Sequence, residues 1–142
     1  MNDNRTNRIA ELENSFLTVF RTFRKDINDL FSDDVPSNEF GVLNLLKDKE
    51  YLTASELAGE MKVSSSHITG VTDRLIKKDL ITRERSLTDR RIVYVKITEK
   101  GQAVAEKLSK IRHDYYIEKF SGLSDEEMKN MIDYLNRMVS QA

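Results

Sequence analysis

The stretch TASELAGEMKVSSSHITGV, residues 53–71, decides how this chain folds. Leu57, Ala58 and Met61 fall on one face of a short helix, Val63 occupies a turn, and Ile68 and Val71 line the inner face of a second helix. Two helices joined in this way form a helix-turn-helix, in which the small Ala58 permits a close crossing. Lys62 stands in the turn, where glycine is common, and a left-handed backbone there would strain a lysine. Each helix start carries its own signal. Thr53 and Glu56 make a capping box bracketed by Leu52 and Leu57, and Ser64 can cap the second helix between Val63 and Ile68.

Downstream, the period changes. Ile92-Val93-Tyr94-Val95-Lys96-Ile97 is β-branched and aromatic and predicts a strand, with Leu80-Ile81-Thr82-Arg83-Glu84-Arg85 as its antiparallel partner. The turn between them, Ser86 to Arg91, lacks an Asn-Gly or Asp-Gly pair and is expected to be a longer loop. Thr98 can then cap a helix carrying Val104, Leu108, Ile111 and Tyr115. Ser124 and Glu127 repeat the capping box ahead of Met128, Met131, Ile132, Leu135, Met138 and Val139, with Leu123 and Met128 in the staple positions. Upstream, Ile9, Leu12, Phe16, Val19, Phe20, Phe23, Ile27, Leu30 and Phe31 form one helical stripe, which is expected to stop near Asp33–Pro36. Ser37 is the expected cap of the next helix, with Phe40, Val42, Leu43, Leu45 and Leu46 as its apolar positions.

A chain of 142 residues with 39% hydrophobic and 33% charged residues is long enough for one self-sufficient core. The absence of cysteine excludes disulfides, thiolate nucleophiles, thiol redox sensing and cysteine-ligated zinc. The apolar runs are too short to span a membrane, and the polar start from Met1 to Arg8 lacks the apolar stretch of a secretory leader, so a cytoplasmic location is expected. The formal charge of -1 is unevenly spread. Residues 61–96 hold nine Lys and Arg against four Asp and Glu, while residues 1–60 hold seven against twelve. Phosphate attraction depends on this local balance, because salt screens charge over roughly 10 Å.

The outward face of the second helix presents Ser64, Ser65, Ser66, His67, Thr69 and Gly70, small or polar residues clustered at its N-terminal end. Such a face can enter a groove about 12 Å wide and offer donors and acceptors to base edges. Arg74, Lys77 and Lys78 follow, suited to the flanking phosphates. The hairpin adds Arg85 and a tip reading Asp89-Arg90-Arg91; arginine is favoured in a narrow minor groove, and a bidentate Asp89–Arg91 pair would fix its direction. Taken alone, the polar helix face could equally be a plain surface, and the charged turn a solvated one. In this order, they favour DNA recognition.

These residues resemble the MarR family of bacterial regulators, through Val63-Ser64, Asp73-Arg74-Leu75, Leu80-Ile81-Thr82-Arg83, Asp89-Arg90-Arg91 and Ile97-Thr98-Glu99-Lys100-Gly101. The resemblance implies a mainly α fold with a small β-hairpin wing, and a homodimer held by its first and last helices. It also implies a recognition helix in each of two major grooves, with Arg91 in the minor groove. Asp79 departs from the family pattern, which has glycine at the end of the recognition helix. On this reading residues 1–142 are one domain, with about 37–100 as the winged helix-turn-helix and about 5–34 and 101–142 as dimerisation helices. The function expected is that of a homodimeric, sequence-specific repressor on a pseudo-palindromic double-stranded DNA operator, released by a small aromatic or phenolic effector. No cofactor is expected. Phe16, Phe20, Phe23, Tyr115 and Tyr116 could line an effector pocket or serve as plain packing, so the pocket stays unassigned.

Two other classes compete. An enzyme is disfavoured: no Gly-rich phosphate loop or His-Glu-x-x-His occurs, and His67 and His113 fall on different helices. A winged helix that binds protein rather than DNA is the alternative reading, but such a module has no need of wing arginines or a small polar helix face.

Overall fold

The computed structural model describes residues 2–31 and 35–141. Among these, six helices and three short strands run in the order α1 (Asn2–Leu30), α2 (Ser37–Leu46), β1 (Leu52–Thr53), α3 (Ala54–Met61), α4 (Ser65–Lys77), β2 (Ile81–Arg85), β3 (Val93–Ile97), α5 (Glu99–Lys119) and α6 (Asp125–Ser140). Four of the five helix starts read from local side chains form as expected. Thr53 and Ser124 sit in complete capping boxes with Glu56 and Glu127, Ser64 accepts from the His67 amide, and Thr98 accepts from the Gly101 amide. The fifth differs. Pro36, not Ser37, is the N-cap of α2 and makes no side-chain cap. Ser37 lies one residue inside, and both its amide and its hydroxyl donate to Asn28 Oδ1, at 2.9 and 2.6 Å, tying α2 to α1. The expected stop of the first helix falls partly on Asp33 and Asp34, which lie outside the described residues.

The strands form an antiparallel sheet in the order β1-β3-β2. Ile81 pairs with Ile97 and Arg85 with Val93, which makes the expected hairpin. The sequence pattern did not announce β1: Leu52 and Thr53 pair with Val95 and Tyr94, and two residues are too few to show a strand period.

The buried core joins Phe40, Val42, Leu43 and Leu46 of α2 with Leu57 and Ala58 of α3 and with Ile68, Val71 and Leu75 of α4. Leu80, Ile81 and Val95 close it from the sheet side, and Ala105, Leu108 and Tyr115 of α5 from the other. Among the described residues, three other than glycine take a left-handed backbone: Asp48, Lys62 and Asp79. Lys62 (φ 56°) turns the chain between α3 and α4. Asp79 (φ 62°) closes α4 in a Schellman turn, with Leu80 N donating to Leu75 O and Asp79 N to Ile76 O, each at 3.0 Å. The left-handed backbone considered for Lys62 is therefore present, and Asp79, where the family pattern has glycine, takes one as well.

Gly101 explains the Thr-x-x-Gly start of α5. A Cβ placed there would lie 2.0 Å from the Leu80 carbonyl oxygen, so only glycine lets α5 run this close to the chain leaving α4. Thr98 reinforces the junction: its amide donates to Leu80 O and its hydroxyl to Asp79 O.

The outer helices behave differently. α1 buries Ile27 and half-buries Phe23, but Ile9, Leu12, Phe16, Val19, Phe20 and Leu30 of its apolar stripe are exposed. No residue of α6 is buried.

Candidate nucleic-acid interface

Helix α4 separates two kinds of side chain by its period. Ile68, Val71, Thr72 and Leu75 face the core, and Thr72 spends its hydroxyl on the Ile68 carbonyl at 2.8 Å. Ser64, Ser65, Ser66, His67 and Thr69 are exposed at the N-terminal end, and Gly70 is half-buried. Thr69 Oγ1 already donates to Ser65 O, and Ser64 and Ser66 hydroxyls lie 3.2 Å apart. What this end offers a groove is thus small, polar and held in place. It also carries free helix-start amides that favour an anion.

The three cations expected to follow do not share one environment. Lys77 is exposed. Lys78 Nζ lies 2.7 Å from Glu39 Oε1, and Arg74 Nε lies 3.7 Å from Glu39 Oε2. Glu39 belongs to α2 and is buried beneath them. Asp73, on the neighbouring face of α4, holds Arg83 of β2 at 2.7 Å, which fixes the wing against the helix.

The wing tip is ordered by its own polar groups. Ser86 N donates to Ile92 O, and the buried Ser86 hydroxyl accepts from the amides of Thr88 and Asp89. Arg85 reaches across to donate to the Arg90 carbonyl. Asp89 accepts from the Arg91 amide and forms the expected fork with its guanidinium, at 3.1 and 3.0 Å. Charge-assisted bonding to Arg91 holds the Asp89 carboxyl below the usual carboxylate range and raises the Arg91 guanidinium further. Arg91 nevertheless keeps 90% of its side chain exposed, so the pair aims the arginine without hiding it. Arg90 and Arg85 are exposed beside it.

Between the wing and α4 lies a cleft of about 420 Å³, where Thr69, Thr72, Arg83 and Arg85 stand over Ile68 and Val95. The fold therefore brings the polar end of α4 and the arginines of the hairpin to the two sides of one concave surface. Arg83 of the cleft was not singled out as a site residue in the sequence, and neither were Asp73, which holds it, and Glu39, buried beneath Arg74 and Lys78. For Glu39 a signal existed: a carboxylate three and four residues before Val42 and Leu43, within the apolar stripe of α2, needs a cationic partner. His67 is exposed on α4 and His113 on α5, and among the described residues no group of three or more His, Cys, Asp and Glu converges. Among the same residues no helix is long and apolar enough to cross a membrane.

A family model described as the MarR family matches residues 35–93, spanning α2 through the start of β3. The HTH-type transcriptional regulator YpoP of Bacillus subtilis is 34% identical over 134 residues, covering 94% of this chain and 95% of that protein. The chain belongs to the MarR family. A second Bacillus subtilis relative, the HTH-type transcriptional regulator MhqR, is 31% identical, covering 87% of this chain and 88% of its own length. Among solved structures, a mutant MarR from E. coli complexed with operator DNA superposes with a TM-score of 0.80 at 26% identity, covering 94% of this chain and 96% of that one. The transcriptional regulator BldR from Sulfolobus solfataricus also gives 0.80 at 26%, over 95% and 96%. As a MarR-family winged helix, the chain is a DNA-binding transcriptional regulator and not an enzyme.

Proposed function

We propose that this regulator acts in the cytoplasm as a homodimeric repressor on a pseudo-palindromic double-stranded operator, from which a small aromatic or phenolic effector releases it. Residues 37–100 read DNA. The N-terminal end of α4 enters the major groove through Ser64, Ser65, Ser66, His67, Thr69 and Gly70. Arg74, Lys77 and Lys78 meet the flanking backbone, and Arg85, Arg90 and Arg91, the last braced by Asp89, serve the minor groove. The observations that carry this reading are the exposed Arg91 on a tip locked by Ser86 and Asp89, and the cleft in which Arg83 and Arg85 of the same hairpin meet Thr69 of α4.

The homodimer is supported by the apolar surface of the outer helices α1 and α6. Ile9, Leu12, Phe16 and Leu17 of α1 and Met138 of α6, with Glu13 at hand, line one mostly apolar depression continuous with the exposed stripe of α1, a surface that a second copy would cover. For the effector, a cavity of about 380 Å³ beside α1, α2 and α5 is lined by Phe20, Phe23, Ile27 and Tyr116, with Arg24 and Asn38 at hand. Rings with one guanidinium suit an aromatic anion or phenol. A DNA titration at several salt concentrations tests the proposal: affinity is expected to fall linearly in log–log coordinates through counterion release. Binding that is absent at low salt would reject it in favour of a protein-binding winged helix.

A further inference from the structure

Glu39 is a buried carboxylate of α2, and its two oxygens face Arg74 of the recognition helix and Lys78 at its C-cap. Its neighbours in α2 are Phe40, Val42 and Leu43, and α4 presents Val71 and Leu75 to the same core. Packing alone would be served by an apolar side chain, because a buried ion pair recovers its desolvation cost only in good geometry and often adds no net stability. The geometry instead has a directional use.

Arg74 and Lys78 lie one helical turn apart on α4, and Glu39 takes up both from below. Arg74 meets Glu39 through Nε, at 3.7 Å, while Nη1 lies near Gly70. Nη1 runs back along the helix, 3.6 Å from where a Cβ on Gly70 would stand, toward the end of α4 that faces the cleft. A long side chain that is free in solution loses rotamer entropy when it binds a phosphate, and one already directed loses less.

We infer that Glu39 is a positioning residue for DNA binding: it holds Lys78 and directs Arg74 along α4, so that the guanidinium is presented to a phosphate of the operator backbone. This rests on the DNA-binding reading above. The partner of the pair is the duplex backbone rather than a base edge, so the effect is independent of sequence and falls on the salt-sensitive part of affinity. Although Glu39 subtracts one charge from this flank, the direction it gives Arg74 outweighs that loss.

The test uses the full chain and a duplex selected from a random pool by the wild-type protein, with affinity followed against salt. Replacing both cations (Arg74→Ala with Lys78→Ala) is expected to lower affinity and to reduce the slope of log affinity on log salt by about one for each phosphate no longer neutralised. Glu39→Gln, which keeps the volume, is expected to lower affinity about fivefold in the native background, with a shallower slope. In the background lacking both cations it is expected to change nothing. Glu39→Met keeps the length and restores an apolar core, and is expected to fold at least as well while showing the same shallower slope. Tighter binding or a steeper slope in Glu39→Gln would overturn the inference, since Glu39 would then act only by neutralising charge. An equal loss with and without the two cations, or native binding by Glu39→Met, would overturn it too, by assigning Glu39 to the fold alone. A wild-type protein that selects no duplex at all would reject the DNA-binding reading instead.

Discussion

The winged part of the molecule and its outer helices are written in the same amphipathic code, but they use it differently. From Phe40 to Val95 every long apolar stripe finds a partner within the chain: Leu43, Leu46, Leu57, Leu75 and Val95 are fully buried. In α1 and α6, stripes of equal regularity stay in solvent, with Leu12 at 65% and Ile132 at 59% exposure. One region is finished by its own sequence, and the other is finished by something it must meet. The difference separates their roles. The winged part presents polar side chains in fixed directions, and in the proposed homodimer the apolar part sets where a second such part stands.

The comparison breaks most visibly at the outer helices. Phe16→Glu places a charge within the apolar depression of α1 and α6. It is expected to leave the winged part folded, to yield monomers in sedimentation, and to weaken operator binding by about a thousandfold through loss of bivalency. Gly101→Ala attacks the opposite region. With its Cβ 2.0 Å from the Leu80 carbonyl oxygen, the junction of α4 and α5 must shift, and thermal unfolding is expected to show a loss of about 3 kcal/mol.

Arg91→Ala spares both regions and removes a side chain that is held by Asp89 and otherwise left in solvent. Melting temperature and dimer mass are expected to stay the same, while operator binding weakens by about 1–3 kcal/mol in a fluorescence titration.

Smaller effects sharpen the line between the regions. Tyr115 of α5 donates to Asp26 of α1 at 2.7 Å and is one of the polar ties joining the two. Burial, aided by that hydrogen bond and the Asp26 charge, pushes its phenol up to about 12. The folded state therefore favours the neutral phenol. Its contribution is complete below the ordinary tyrosine value of 10.0 and is lost as pH climbs from there through about 12. Tyr115→Phe is expected to cost about 1 kcal/mol at neutral pH and to flatten the decline in melting temperature across that window. Least of all, Asp79→Gly relieves a left-handed backbone at the end of α4 and is expected to add about 0.5–1 kcal/mol without altering DNA affinity.

How much of this was legible in the sequence follows the distance over which each feature is decided. The caps at Thr53, Ser64, Thr98 and Ser124 and the Asp89–Arg91 fork involve partners two or three residues apart, and all were readable. Ser37 misled because it has the right chemistry one residue too late: the preceding proline took the cap position, and Asn28, nine residues away, took the serine. The strand at Leu52–Thr53 exists only because β3 lies beside it. Glu39 and Lys78 are 39 residues apart, so the apolar stripe of α2 could mark Glu39 as anomalous but could not name its partner. The stripe of α1 correctly predicts a helix, yet periodicity states which face is apolar and not what covers it. Inner and outer positions of the candidate site were legible where the helix period divides them, as at buried Ile68 and exposed His67, and illegible where a third element intervenes.

The most direct test of the central claim, that two copies of the Thr53–Gly101 stretch read DNA as a pair held by the outer helices, is selection of bound duplexes from a random pool by the purified protein. The expected result is an inverted repeat whose half-sites are centred about one helical turn apart, roughly 10–10.5 base pairs. Recovery of an isolated half-site, or of no enriched sequence, would contradict it.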